Sequence, residues 1–257
     1  MKENILLAFS FARRDFNERY VGTGLGQFWY LISPLVMIFI YTVIFSDFMK
    51  MKLDIVDNSY AYSIYLVPGL LAWTAFSTII MRLNTSFFEK SHLIKKINVP
   101  MYSFQLSIVI TEAFLFLISI LFALGFLIIV KQPITLTFFW LIPVMGLQVL
   151  FSFGIGVTLS LFTAFFKDLK EVVPIIVQLW FWMTPIIYLS SMIENKYPFL
   201  LKYNPFYYFV KIYQDIFLYS RAPSFETIGL LSLMTFLSVL IAGYLYKKMI
   251  GTIKDII

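Results

Sequence analysis

Residues Tyr102–Val130 read YSFQLSIVITEAFLFLISILFALGFLIIV, a run in which Glu112 is the only charged side chain. A bilayer's hydrocarbon core is about 30 Å thick and is crossed by roughly 20 apolar residues in a helix, so this run can cross it and overshoot. Five further runs qualify: Phe28–Phe48, Ala61–Met81, Ile134–Phe166, Val172–Ser191 and Phe225–Tyr246. The balance of the whole chain agrees, with 60% hydrophobic and 13% charged residues among 257 and a mean hydropathy of +0.85. Soluble domains carry about 25% charge, so the apolar side chains here need lipid as well as a core. The expectation is one all-α integral membrane domain with six transmembrane helices. The overlong Ile134–Phe166 run is expected to tilt, kink at Pro143 or extend past the bilayer.

Lys and Arg set the orientation. With the N-terminus inside, the inner segments carry thirteen of the twenty basic residues, among them Arg13, Arg14, Arg19, Arg82, Lys90, Lys95, Lys96, Lys247 and Lys248, and the outer segments carry seven. Both termini are therefore expected in the cytoplasm. The net charge of +6 is read against this bias rather than as the mark of an anionic ligand, and no nucleic-acid partner is expected. Outside the spans, residues 1–22 hold Ile5, Phe9, Ala12, Phe16 and Tyr20 at helical spacing, which predicts an amphipathic helix on the cytoplasmic surface. The outer segment 192–224 is aromatic and too short to cross, with Lys211 and Asp215 four residues apart. It reads as a shallow re-entrant or interfacial hairpin, serving either as an interface anchor or as a gate in which Phe206, Tyr207, Tyr208, Lys211 and Asp215 take part.

Several chemistries are excluded by what the sequence lacks. Without cysteine and with His92 as the sole histidine, neither disulfides nor a metal site are expected, and no catalytic residue is assigned. No phosphate-binding loop, zinc-protease pair or nucleophile elbow occurs. The glycines of RYVGTGLGQFWY, Arg19–Tyr30, lack the following Lys-Ser/Thr and the preceding strand of a nucleotide site. Gly22, Gly24 and Gly26 read instead as a hinge, a tight turn from the surface helix into the first span. Glu112, expected deep in its span, is either a pore-lining or proton-linked group or a hydrogen-bonded carboxyl that locks helices together.

Two sets of residues point to function. The inner loop RLNTSFFEKSHLIKKINVP, Arg82–Pro100, sets Ser86 and Glu89 at capping-box spacing, predicting a helix over 83–99. Phe87, Phe88, Glu89, Lys90, His92, Lys95 and Lys96 would face a soluble partner, together with Arg13 and Arg14, unless the loop only rests on anionic lipid. The second set is aromatic: Trp29, Tyr30, Tyr41 and Phe45 in the first span, and Gln178, Trp180, Trp182 and Tyr188 in the fifth. Such rings could stack on sugars in a wet pathway, or they could be helix packing and interface belts.

The ordered set RRDFNERYVGTGLGQFWYLISP, KKINVP, FKDLKEVVPIIVQLWFWMTPIIY and YNPFYYFVKIYQDIF resembles the ABC-2 type polysaccharide exporter permeases, those of O-antigen above all, along essentially the whole chain. The resemblance implies a type V-like exporter fold and a homodimer bound to two copies of a separate cytoplasmic ATPase, which holds ATP and Mg²⁺. It implies that 83–99 is the coupling helix, that the first and fifth spans line the channel, and that 192–224 are the gate helices on the periplasmic side. The substrate implied is an undecaprenyl-linked polysaccharide crossing the bacterial inner membrane amid its lipids. An ABC-2 exporter of lipids or drugs and an integral membrane transferase remain the alternatives.

Overall fold

The computed structural model describes residues 2–19, 21–44, 59–89 and 100–256, and these are helical with no strand among them. The helices are α1 (Lys2–Glu18), α2 (Trp29–Thr42), α3 (Ala61–Glu89), α4 (Tyr102–Ile129), α5 (Leu141–Phe165), α6 (Leu169–Met183), α7 (Ser191–Glu194), α8 (Pro198–Lys202), α9 (Pro205–Tyr219) and α10 (Phe225–Ile256). Among the described residues, four segments are long and apolar enough to cross a membrane: α3, α4, Leu136–Phe165 and α10. Six were expected. The first expected span is helical over Trp29–Thr42, and its end at 45–48 lies outside the described residues. The fifth expected span stops short as a helix, for the reason given below.

The chain wraps around α3, whose apolar window is 83% buried, whereas that of α10 is 17% buried and faces outward. α5 packs between α3 and α10, and α4 packs on the opposite flank of α3 with α1 and α2 against it. Small residues let the helices close. A Cβ at Gly156 would meet Leu83 Cδ1 at 2.5 Å, and one at Gly154 would meet the Ser238 backbone at 2.6 Å. In lipid, such close packing and interhelical hydrogen bonds take the place of a hydrophobic driving force between helices. Gln148 of α5 accordingly donates to the Ala72 carbonyl at 2.8 Å, and Gln105 of α4 donates to Ser160 of α5 at 2.8 Å. Pro143 falls in the first turn of α5, where its missing N–H costs no helix hydrogen bond, and the preceding Leu136–Trp140 is a 3₁₀ turn.

α6 has fifteen residues, about 22 Å of helix. It ends because Thr184 precedes Pro185 and is driven into the extended region, with ψ at 126°. The irregular stretch that follows would leave carbonyls unpaired in an apolar setting. Tyr62 donates to the Ile187 carbonyl, Tyr65 to that of Tyr188 at 3.1 Å, and Gln214 to that of Pro185 at 3.3 Å. The chain then makes α7 and α8 and returns as α9, which is buried along α3: Phe206 stacks on Phe76 at 4.1 Å and Tyr213 lies edge-on to Phe116. The outer segment is thus a set of short helices of which the last packs into the core.

Candidate functional site

The N-terminal helix meets the bundle through charge. Its buried face holds Ala8 and Ala12, with Phe11 stacked on Phe104 at 4.7 Å, while Phe9 is 55% exposed. Of the expected Ile5–Phe9–Ala12–Phe16–Tyr20 stripe, Ala12 and Phe16 pack and Phe9 does not, with Tyr20 and the Ile5 side chain outside the described residues. The packed face is thus turned part of the way toward Ala8, Phe11 and Asp15. The turn brings Asp15 and Arg19, one helical turn apart, onto α3 and α4. Arg82 of α3 donates through Nη2 to both Asp15 oxygens, at 2.7 and 2.8 Å, and through Nη1 to Glu112 Oε1 at 2.7 Å. Arg19 Nη1 donates to the same Oε1 at 2.9 Å. Two cations and two anions thus join three helices. Glu112, with 6% of its side chain exposed, carries ion-paired helix-locking contacts, one of the two roles open to it. It sits about 15 Å along α4 from Tyr102, on a cavity it shares with Tyr30 in the first turn of α2. That is the α1 end of the bundle rather than the depth of its middle.

The turn into α2 needs its glycines. Gly22 and Gly26 adopt φ of +85° and +51°, a region side chains disfavour, and Gly26 N–H bonds the Thr23 carbonyl at 3.1 Å. Gly24 has an ordinary φ. Beyond the turn, Tyr30 is buried against α1: it stacks on Phe16 at 4.2 Å and donates to the Phe16 carbonyl at 2.7 Å. The cavity, about 190 Å³, lies between α2, α3 and α4, with Arg19 and Glu112 at its polar end and Thr74, Thr78, Leu71 and Phe116 among its walls.

The expected pathway residues divide. Gln178 and Trp182 lie on the outward face of α6 with Ile175, Ile176, Leu179 and Met183, Trp182 being 59% exposed. Trp29 is also exposed, and Tyr41 is half-buried against the core. Tyr188 is half-buried and donates to the Trp182 carbonyl at 2.8 Å. Trp180 turns the other way. Its indole N–H donates to Asn204 Oδ1 at 2.8 Å, and its ring lies edge-on to Trp73 and Phe76. It belongs to the protomer's core, because helical spacing sets it about 160° from Trp182. Phe45 lies outside the described residues.

Asn204 is a junction that the residue pattern did not single out. Its Oδ1 accepts from the Phe206 and Tyr207 amides, capping α9, as well as from Trp180, and its Nδ2 donates to Thr184 Oγ1 at 2.8 Å. The sequence signal was present: Asn before Pro is a helix start. Of the expected gate residues, Phe206 and Tyr207 are buried, Tyr208 donates to the Lys202 carbonyl, and Lys211 is exposed. Lys211 and Asp215 make no ion pair within 4 Å. Burial raises the Asp215 carboxyl above its usual range, and Lys211 and Arg221 pull it back.

On the inner loop, the capping box is not formed. α3 runs unbroken through Ser86 to Glu89, so Ser86 is mid-helix and donates back to the Leu83 carbonyl at 2.6 Å, while Thr85 donates to Glu89 at 2.6 Å. Phe87 is 2% exposed and packs with Met101, Ile108 and Leu161, so it does not face a partner. Phe88 is half-buried and Glu89 exposed. Arg13 and Arg14 are exposed, Arg14 pairing with Glu18 at 2.6 Å. Lys90, His92, Lys95 and Lys96 lie outside the described residues.

The comparisons agree with this architecture. The family described as ABC-2 type transporter matches residues 7–218. The chain is similar to an O-antigen export system permease protein RfbA of Klebsiella pneumoniae, 29% identical over 237 residues, covering 92% of this chain and 89% of the relative. It is also similar to a protein of the same name from Myxococcus xanthus, 26% identical over 248 residues, 94% of this chain and 92% of that one. A helical, multi-pass membrane chain matched by this family over most of its length belongs to the ABC-2 type transporters.

Proposed function

We propose that this chain is the permease subunit of an ATP-driven exporter that carries an undecaprenyl-linked, O-antigen-like polysaccharide out of the bacterial cytoplasm. The observation that carries the reading is the end-to-end likeness to relatives named O-antigen export permeases, 92% of this chain in the first case. In this reading two copies pair across the outward face of α6, where Gln178, Leu179 and Trp182 are exposed among the described residues. Two copies of a cytoplasmic ATPase bind ATP and Mg²⁺ and press on the segment 90–99. α3 ends at Glu89, immediately before that segment in sequence, so a push there is delivered along a rigid helix to the core, with the Arg82 contacts to α1 and α4 on its way. Both termini and the ATPase lie on the cytoplasmic side. A moving polymer needs contacts that hold weakly and release, which exposed rings and hydroxyls supply.

Deleting the chain in its host and staining whole cells and spheroplasts with a polymer-binding lectin tests this. The expected result is loss of surface polymer with lipid-linked polymer accumulating inside. Undiminished surface polymer would contradict it, as would loss of a drug- or phospholipid-export phenotype alone.

A further inference from the structure

The cavity beside the ion network is built like a binding site. Both arginines bond Glu112 through Oε1, so Oε2 of this nine-tenths-buried carboxylate accepts no hydrogen bond among the described residues, while Glu112 lines the cavity. Arg19 uses one of its N–H donors on Glu112 and keeps the others, with 31% of its side chain accessible. Along the walls, the Ser33 and Thr78 hydroxyls make no hydrogen bond among the described residues. Thr74 donates to the Leu70 carbonyl at 2.8 Å and retains its lone pairs. Pro34, Met37, Leu71 and Phe116 add apolar surface to the same lining.

Charge decides the class of ligand. Arg19 and Arg82 are balanced by Asp15 and Glu112, so the site has no surplus positive charge for a phosphate. A free carboxylate oxygen would repel one. What the cavity offers is an acceptor on a buried carboxylate, guanidinium donors, bidirectional hydroxyls and apolar surface. A pyranose ring has hydroxyls that both donate and accept around its edge and C–H groups on its face. The cavity's volume of about 190 Å³ is below the roughly 300 Å³ at which pockets for drug-sized ligands begin, a size for one ring and not for a disaccharide.

We infer that this cavity is a subsite for a single neutral sugar residue, with Glu112 Oε2 and Arg19 bonding adjacent hydroxyls and Ser33, Thr74 and Thr78 completing the edge. The inference rests on the polysaccharide reading above. It assigns sugar contact to Arg19 after α1, Ser33 of α2, Thr74 and Thr78 of α3 and Glu112 of α4, apart from the aromatic face of α6.

The test uses saturation-transfer NMR on the full chain in nanodiscs, with glucose, galactose, rhamnose and N-acetylglucosamine offered one at a time. A Ser33→Ala/Thr78→Val double variant removes two hydroxyls without touching the ion network, and Thr78→Ser is the rescue. At least one sugar is expected to receive saturation from the wild type and from Thr78→Ser, with a severalfold loss in the double variant and no displacement by inorganic pyrophosphate. Polymer export by the double variant is expected to fall severalfold. Saturation of no sugar, equal saturation in the double variant, or displacement by pyrophosphate would overturn the subsite. Export at the wild-type rate by a double variant would do the same. Normal surface polymer in the deletion strain would instead overturn the polysaccharide reading itself.

Discussion

Arg82 grips Asp15 through one guanidinium nitrogen and two carboxylate oxygens, at 2.7 and 2.8 Å, across 67 residues of sequence. The same side chain reaches Glu112 with its other nitrogen. One α3 residue therefore fixes both the N-terminal helix and the N-terminal half of α4, seven positions before α3 ends at Glu89. Removing Arg82 takes the guanidinium from Asp15 while Glu112 keeps Arg19, and breaking a buried pair in this way costs about 3–5 kcal/mol.

Arg82→Met is accordingly expected to release α1. Hydrogen exchange should show α1 amides losing protection by orders of magnitude while α5 and α10 keep theirs. Protection of α1 equal to wild type would mean that its apolar contacts alone suffice.

Close helix approach is the second point. Gly154→Ala places a methyl group on the Ser238 backbone, so a shift of α10 is needed, and overpacking of this kind costs about 1–3 kcal/mol. Gly146→Ala, with nothing within 4 Å, is the control in the same helix. Thermal unfolding in detergent should separate the two variants by several degrees, Gly154→Ala being the lower.

The inner end of α3 gives a third expectation. Because Phe87 is buried, Phe87→Ala should lose about 3–5 kcal/mol of stability. Glu89→Lys, on an exposed residue, should leave unfolding unchanged. Wild-type melting of Phe87→Ala would show that this ring is not part of the core.

Asn204 carries the fourth. Asn204→Ala removes the α9 cap, worth about 1 kcal/mol, together with the partners of Trp180 and Thr184. A shift in tryptophan emission relative to wild type is expected. Asn204→Asp restores the cap and the indole acceptor, though not the donor to Thr184, and should bring the emission back.

How much of this was legible beforehand follows from what is local. Long apolar runs marked α3, α4, α5 and α10, because crossing length and hydropathy are properties of a contiguous segment. Asn204–Pro205 carried a signal of the same local kind for α9, which the reading of 192–224 did not use. α6 was read too long, since an apolar run does not reveal which proline stops the helix. Ser33, Val67 and Val173 before prolines stay helical and Thr184 before Pro185 does not. The Tyr62, Tyr65 and Gln214 donors that tolerate the break lie elsewhere in the chain. The face of α1 was read only in part, with Ala12 and Phe16 on it and Phe9 not, because Asp15 and Arg19 look like surface charges until Arg82 and Glu112, 67 and 93 residues away, are brought to them. A carboxylate inside an apolar run was the clue that cations had to be found. Trp180 and Trp182 looked equivalent in sequence, and helical spacing alone sent them to opposite sides.

Transport itself is tested most directly in inverted membrane vesicles, whose outer surface is the cytoplasmic face, containing this chain, its ATPase and lipid-linked polymer. Adding ATP should move the polymer into the lumen, where an added polymer-degrading glycosidase cannot reach it, and Trp182→Ala should slow the gain of protection severalfold. Polymer that stays fully degradable with ATP present, or becomes protected without it, would contradict the account.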